Sequence, residues 1–114
     1  MVARRASVPD RGDVVWLDFS PVRGHEQDGR RPALIVSPHT YNAKSGLALA
    51  CPITSQVKGY PFEVAFKVKQ VQGVILVDQI RGVDWKERRA EKIGAVSDSV
   101  MHEVQEYLKK LIAE

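Results

Sequence analysis

The chain has 114 residues, 44% hydrophobic and 27% charged, which suits one modest hydrophobic core and excludes two. Its net charge of +3 leans towards anionic partners, although a well-solvated surface has the same signature. Cys51, the only cysteine, excludes an intramolecular disulfide and a cysteine-built metal site and fits a reducing, cytoplasmic compartment; no apolar run approaches the ~18 residues of a membrane span.

Residues 1–11 are basic with no apolar segment behind them, so they read as a flexible arm rather than a secretory signal, ahead of one domain within 1–114. After the Gly12 turn, residues 13–19 ("DVVWLDF") alternate Val15, Leu17 and Phe19 against Val14, Trp16 and Asp18, which predicts a first strand. A second strand is expected over 33–37, and residues 38–46 read as a short helical turn ending at Gly46. Leu47–Thr54 is a third strand, interrupted by Pro52, which predicts an edge or a bulge there. A polar loop, "QVKGYP", leads to strands over 62–67 and 73–77. Residues 83–86 read as one turn and 92–96 as a last short strand. Ser97 then looks like an N-cap, followed by the apolar stripe Val100, Val104, Leu108, Leu111 and Ile112, widened by Met101. Many short strands and one terminal amphipathic helix predict a mainly β fold, a small bent antiparallel sheet or barrel.

Between the first two strands lies a polar loop of about a dozen residues, a length that is often functional. It contains Gly24, His25, Glu26, Gln27, Gly29, Arg30 and Arg31, and Pro32 closes it. Proline biases Arg31 to extended backbone, a rigid mount for a guanidinium that can fork onto a phosphate. The plainer alternative is a surface ion pair between Arg31 and Glu26. Thr54, Ser55 and Gln56 place hydroxyls and an amide at the end of the third strand, where they satisfy a turn or bond a phosphate oxygen. His25, His39 and His102 occupy different elements with no metal-ligand spacing, so no metal and no cofactor is expected. Of the three, only His25 lies in the long loop. Cys51 sits in an apolar strand and reads as a small buried hydrophobe rather than a nucleophile. Trp16 and Trp85 read as core or interface residues. Tyr60 is either a base-stacking platform, with Lys58 beside it for phosphate, or a turn residue packed on Pro61.

Together, "GDVVWLDFSPVRGHEQDGRRPALIVSP", "PITSQVKGYPFEV" and "VILVDQIRGVDW" resemble the MazF/PemK family of toxins, in the same order and over nearly the whole chain. The resemblance implies an SH3-like barrel of the MazF/CcdB type and a homodimer. It also implies a metal-independent endoribonuclease that cuts single-stranded RNA, often messenger RNA, at short motifs and is neutralised by an acidic, MazE-like antitoxin. Carried over by motif, the catalytic arginine falls on Arg31 and the catalytic threonine on Thr54. The loop Glu-Gln pair falls on Glu26 and Gln27, with His25 where the family often has serine. The base role stays divided between Glu26 and His25. Gly29, Arg30, Ser55, Gln56, Lys58 and Tyr60 are candidate RNA contacts, and Asp78, Gln79 and Arg81 are groove or dimer candidates. Two alternatives remain at this level: a CcdB-like toxin that traps a topoisomerase and cuts nothing, and a catalytically silent RNA-binding barrel.

Overall fold

The computed structural model describes residues 7–18 and 29–113. The expected loop residues Gly24, His25, Glu26 and Gln27, and Phe19 of the first strand, lie outside them. The elements run β1 (Asp13–Asp18), β2 (Arg30–Ile35), α1 (His39–Ser45), β3 (Leu47–Thr54), β4 (Glu63–Val68), β5 (Val71–Leu76), a 3-10 turn (Val77–Gln79), β6 (Arg81–Asp84), β7 (Glu91–Ala95) and α2 (Asp98–Ile112). All strand pairs are antiparallel, in the order β4-β5-β3-β2-β1-β7, with β6 on the first half of β3. The sheet curls until its outer strands approach: a Cβ on Gly94 of β7 would lie 2.6 Å from Val68 Cγ1 at the end of β4.

The central strands have a core on each face, which is why they read as nearly unbroken apolar runs. Val14, Leu34, Cys51, Ile53, Ile75 and Val77 join Met101 and Val104 of α2 in one cluster. Val15, Leu17, Ala33, Ile35, Ala50, Val83 and Trp85 form the second. Ser97 caps α2 as expected, its hydroxyl accepting from the Val100 N–H at 3.2 Å. The helix stripe packs only along its first half. Met101 and Val104 are buried and the Tyr107 ring meets Phe62 edge-on at 5.3 Å, but Ile112 is 81% exposed.

Four expectations change. β2 begins at Arg30, three residues early, because β1 supplies partners: Asp18 pairs with Arg30, Leu17 with Arg31 and Trp16 with Pro32. Pro32 is tolerated since the β2–β3 pairing starts only at Ala33, leaving β2 an edge there. β3 is central rather than an edge; Pro52 falls where its neighbour changes from β6 (residues 47–50) to β5 (residues 53–54). The turn expected over 83–86 holds only for Trp85 and Lys86; Val83 and Asp84 end strand β6, fixed by pairing with β3 that one buried side chain, Val83, did not announce. Part of the expected arm is tied down: Asn42 Nδ2 donates to the Pro9 carbonyl at 2.8 Å, and Arg11 Nε to the Val36 carbonyl at 3.1 Å. Among the described residues no helix is long and apolar enough to cross a membrane.

Candidate active site

β2 and β3 pair at Ile35–Ala50, Leu34–Cys51 and Ala33–Pro52. Continued two residues past the last pair, that register carries Arg31 to the level of Thr54. Both residues line one cleft of about 590 Å³, together with Trp16, Ser55, Gln56, Gln70 and Gln72. Arg31 is exposed and Thr54 half-buried. Thr54 Oγ1 accepts the Gln56 N–H at 3.1 Å, which uses an oxygen lone pair and leaves the hydroxyl hydrogen to donate to a ligand oxygen. The cleft thus offers a fixed positive charge beside a neutral donor, a combination suited to a phosphate.

Thr54 is held from behind by β5. It pairs with Val74, and the neighbouring Gly73 lies so close that a Cβ there would run into the Thr54 carbonyl oxygen. Only glycine permits that approach.

Other expected site residues are placed elsewhere. Gly29 is buried just before β2. Lys58 Nζ stands 5.8 Å from the centroid of the Tyr60 ring, which is 61% exposed, so these two form their own cation–aromatic pair beyond the cleft lining. Asp78 and Gln79 are exposed on the 3-10 turn, and Arg81 opens β6 opposite Ala50. None of these three lines the cleft. Cys51 is buried, and burial, with a smaller contribution from the Asp78 charge, pushes its thiol up to about 12, which removes the nucleophilic thiolate at neutral pH.

Arg30 turns away from Arg31, as strand alternation requires. It lines a separate hollow of about 960 Å³ with Trp85, Lys86 and Arg89. There its Nη1 donates to Asp18 Oδ1 at 3.0 Å, and its Nη2 to the Arg89 carbonyl at 2.8 Å and Glu91 Oε1 at 3.2 Å. Arg89 Nε donates to Asp18 Oδ2 at 2.8 Å. This hollow is larger, but acidic neighbours already engage three of its cations, Arg30, Arg89 and Lys92, the last meeting Asp13 at 3.3 Å. The smaller cleft is therefore the better anion site.

The hydrogen bond from Arg89, then that from Arg30, holds the Asp18 carboxyl below its usual 3.8 despite the opposing effect of burial. A depressed carboxyl pKa contributes stability that is complete above the unfolded value and is lost as pH falls through the folded one. The thermal midpoint should accordingly fall as pH drops below 3.8, and Asp18→Asn should flatten that limb of the profile. Midpoints of the two proteins measured in parallel across the acid range check this; profiles of equal steepness would refute it.

Trp16, Gln70 and Gln72 were not read from sequence as site residues. Alternation in β1 held no signal for Trp16, because it groups Trp16 with Asp18 rather than with Leu17, the partner of Arg31. Gln70 and Gln72 carried none, because only the β4–β5 hairpin brings them beside Thr54.

Fold and cleft together define a small, curled β protein in which an arginine and a threonine from adjoining strands line one cleft. The profile of a family described as "PemK-like, MazF-like toxin of type II toxin-antitoxin system" matches residues 10–112. The chain is 44% identical over 105 residues to "Endoribonuclease toxin MazF" of Escherichia coli (strain K12), covering 92% of this chain and 95% of that one. It is 38% identical over 109 residues to "Endoribonuclease EndoA" of Bacillus subtilis (strain 168), covering 90% and 93%. Among solved structures, MazF (Form-I) from Deinococcus radiodurans superposes with a TM-score of 0.83 at 50% identity, covering 95% of this chain and 99% of that one. A MazE-MazF structure (Form-II) from the same organism gives 0.82 at 45% identity, covering 94% and 97%. This chain belongs to the MazF/PemK family of type II toxins.

Proposed function

We propose that this endoribonuclease toxin cuts single-stranded RNA at short sequence motifs without a metal. The substrate's own 2′-hydroxyl attacks the adjacent phosphorus, and the 5′-oxygen leaves. The products are a 2′,3′-cyclic phosphate and a 5′-hydroxyl. The observation that carries this is the meeting of Arg31 and Thr54 in one cleft. Two guanidinium N–H groups of Arg31 meet the non-bridging oxygens of the pentacoordinate phosphorane, where negative charge develops, and the Thr54 hydroxyl adds a neutral donor. Arginine is too weak an acid to serve as the base. Glu26 and His25 remain the base candidates. A break in the rate near pH 6–7 that His25→Ala removes would assign His25, while a break at lower pH removed by Glu26→Gln would assign Glu26.

Gln27, Gly29, Ser55, Gln56, Lys58, Tyr60, Asp78, Gln79 and Arg81 are proposed RNA contacts, to which the cleft adds Trp16, Gln70 and Gln72. Cleavage of cytoplasmic messenger RNA would arrest translation and growth. The test is a long single-stranded RNA incubated with purified protein and EDTA, followed by mapping of cut sites and end groups. Cyclic phosphate and 5′-hydroxyl ends at recurring motifs are expected. A requirement for added metal, or 3′-hydroxyl ends, would overturn the mechanism.

The partner is an acidic, flexible antitoxin that wraps the cationic surface and orders on binding, and the toxin is a homodimer. The Deinococcus MazE-MazF structures support the antitoxin. Antitoxin and RNA should compete, and antitoxin association should slow with added salt. A fluorescent uncleavable RNA titrated with antitoxin fragment checks this, and simultaneous saturation by both would refute the shared site. Sedimentation of the free toxin checks the dimer.

A further inference from the structure

We propose that Asp18 is a positioning residue for the cleavage step: by gripping Arg30 and Arg89 it fixes the start of β2, so that Arg31 presents its guanidinium to the cleft at one place. The inference rests on the reading of Arg31 given above.

The need for such a device follows from the pairing. At Arg31 the strand has β1 on one side only, since β3 joins at Ala33. A strand end held on one side frays easily, and a long exposed side chain mounted on it samples many positions. Phosphorane stabilisation demands the opposite, a donor held to within a fraction of an ångström.

Three pieces of backbone converge on the remedy: the end of β1, the start of β2 and the turn before β7. Asp18 and Arg30 are register partners. The Asp18 carboxylate accepts from Arg30 Nη1 at 3.0 Å and from Arg89 Nε and Nη2 at 2.8 and 3.4 Å. The Asp18 backbone is bound to the same turn, its N–H donating to the Arg88 carbonyl at 2.9 Å and its carbonyl accepting from Arg88 Nη1 at 2.8 Å. Arg30 closes the ring through the Arg89 carbonyl and Glu91. Arg89 adopts φ 54°, a conformation that non-glycine residues keep only where their surroundings dictate it. The Asp18 side chain is only 13% exposed, so these ion pairs are less screened than ordinary surface pairs. Neighbouring arginines therefore divide the work: Arg30 is bound into the framework and Arg31, on the opposite face, meets the substrate.

This assignment differs measurably from Arg30 as an RNA contact. A contact residue changes RNA affinity, whereas a positioning residue changes the rate of the bound complex. The experiment measures single-turnover cleavage, at saturating enzyme, of an RNA oligonucleotide containing a mapped cut site. In parallel it measures binding of the same oligonucleotide carrying a 2′-deoxy nucleotide at that site. The variants are Asp18→Asn, Arg89→Ala and Arg30→Lys, with Asp18→Asn repeated in an Arg31→Lys background. The saturated rate should fall about tenfold in Asp18→Asn and several-fold in Arg89→Ala, with Kd unchanged within about twofold. In the Arg31→Lys background, Asp18→Asn should cost less than it does alone, because the misplaced group has already lost its fork. Arg89 is exposed, so its truncation keeps the test available if Asp18→Asn does not fold. Saturated rates like the wild type in folded variants, a loss confined to Kd, or equal costs in both Arg31 backgrounds would overturn the proposal. A folded wild-type protein that cuts no RNA would overturn the reading of the site and this inference with it.

Discussion

Arg31→Ala is expected to lower the cleavage rate on the order of a hundred- to a thousandfold, the loss typical of removing one preorganised donor to a developing oxyanion. In barrier terms that is about 3–4 kcal/mol. The fold should survive. Arg31 is exposed, and among the described residues it makes no ion pair, so its truncation breaks no ion pair between them. Arg31→Lys should recover little, because an ammonium keeps the charge but not the planar fork. Thr54→Ala should cost less than Arg31→Ala, a neutral hydrogen bond being weaker than a charged one. Circular dichroism and single-turnover cleavage on the same samples decide the matter. A folded Arg31→Ala protein with near wild-type activity would remove Arg31 from the mechanism.

Gly73→Ala is expected to damage both stability and activity, through a different cause. The added methyl would stand 2.9 Å from the Thr54 carbonyl carbon and 3.1 Å from Ser55 Cα, and closer still to the Thr54 carbonyl oxygen. These are backbone atoms, so relief requires β5 to shift against β3. Overpacking of this kind costs about 1–3 kcal/mol. The shift would also move Thr54 within the cleft. Gly82→Ala is the control: its methyl would find only Leu49 Cδ2, at 3.9 Å, and should be nearly neutral. Denaturant unfolding gives the stability difference. Cleavage measured where both variants are fully folded gives the effect on the site, and equal stability of the two would refute the close-approach argument.

Much of the architecture was open to inspection in the linear chain. The apolar run of β1, the Ser97 cap and the helical spacing from Val100 to Leu108 are local signals, and local physics reads them correctly. So does the proline after Arg31, which announces extended backbone. The candidate site was equally legible in part, because Arg31, Thr54, Ser55 and Gln56 sit in short motifs whose order resembles the family's.

What the residues determined by themselves, then, was the mainly β class, the terminal helix and the chemical character of Arg31 and Thr54. Tertiary structure alone decided the rest, because each remaining feature depends on a partner distant in sequence. β6 is a strand since β3 pairs with it. Asn42 reads as an ordinary turn residue, yet it is fully buried, with Ser37 Oγ donating to its Oδ1 at 2.6 Å and Trp85 Nε1 donating to its backbone carbonyl at 2.9 Å. α1 has no side-chain cap of its own; Asp10, 29 positions away, accepts its His39 N–H at 2.9 Å. The two adjacent arginines look alike in sequence, but strand alternation sends one into the ion-pair cluster and the other into the cleft. A side chain's chemistry is carried by its own atoms, whereas its role is set by what the curled sheet places opposite it.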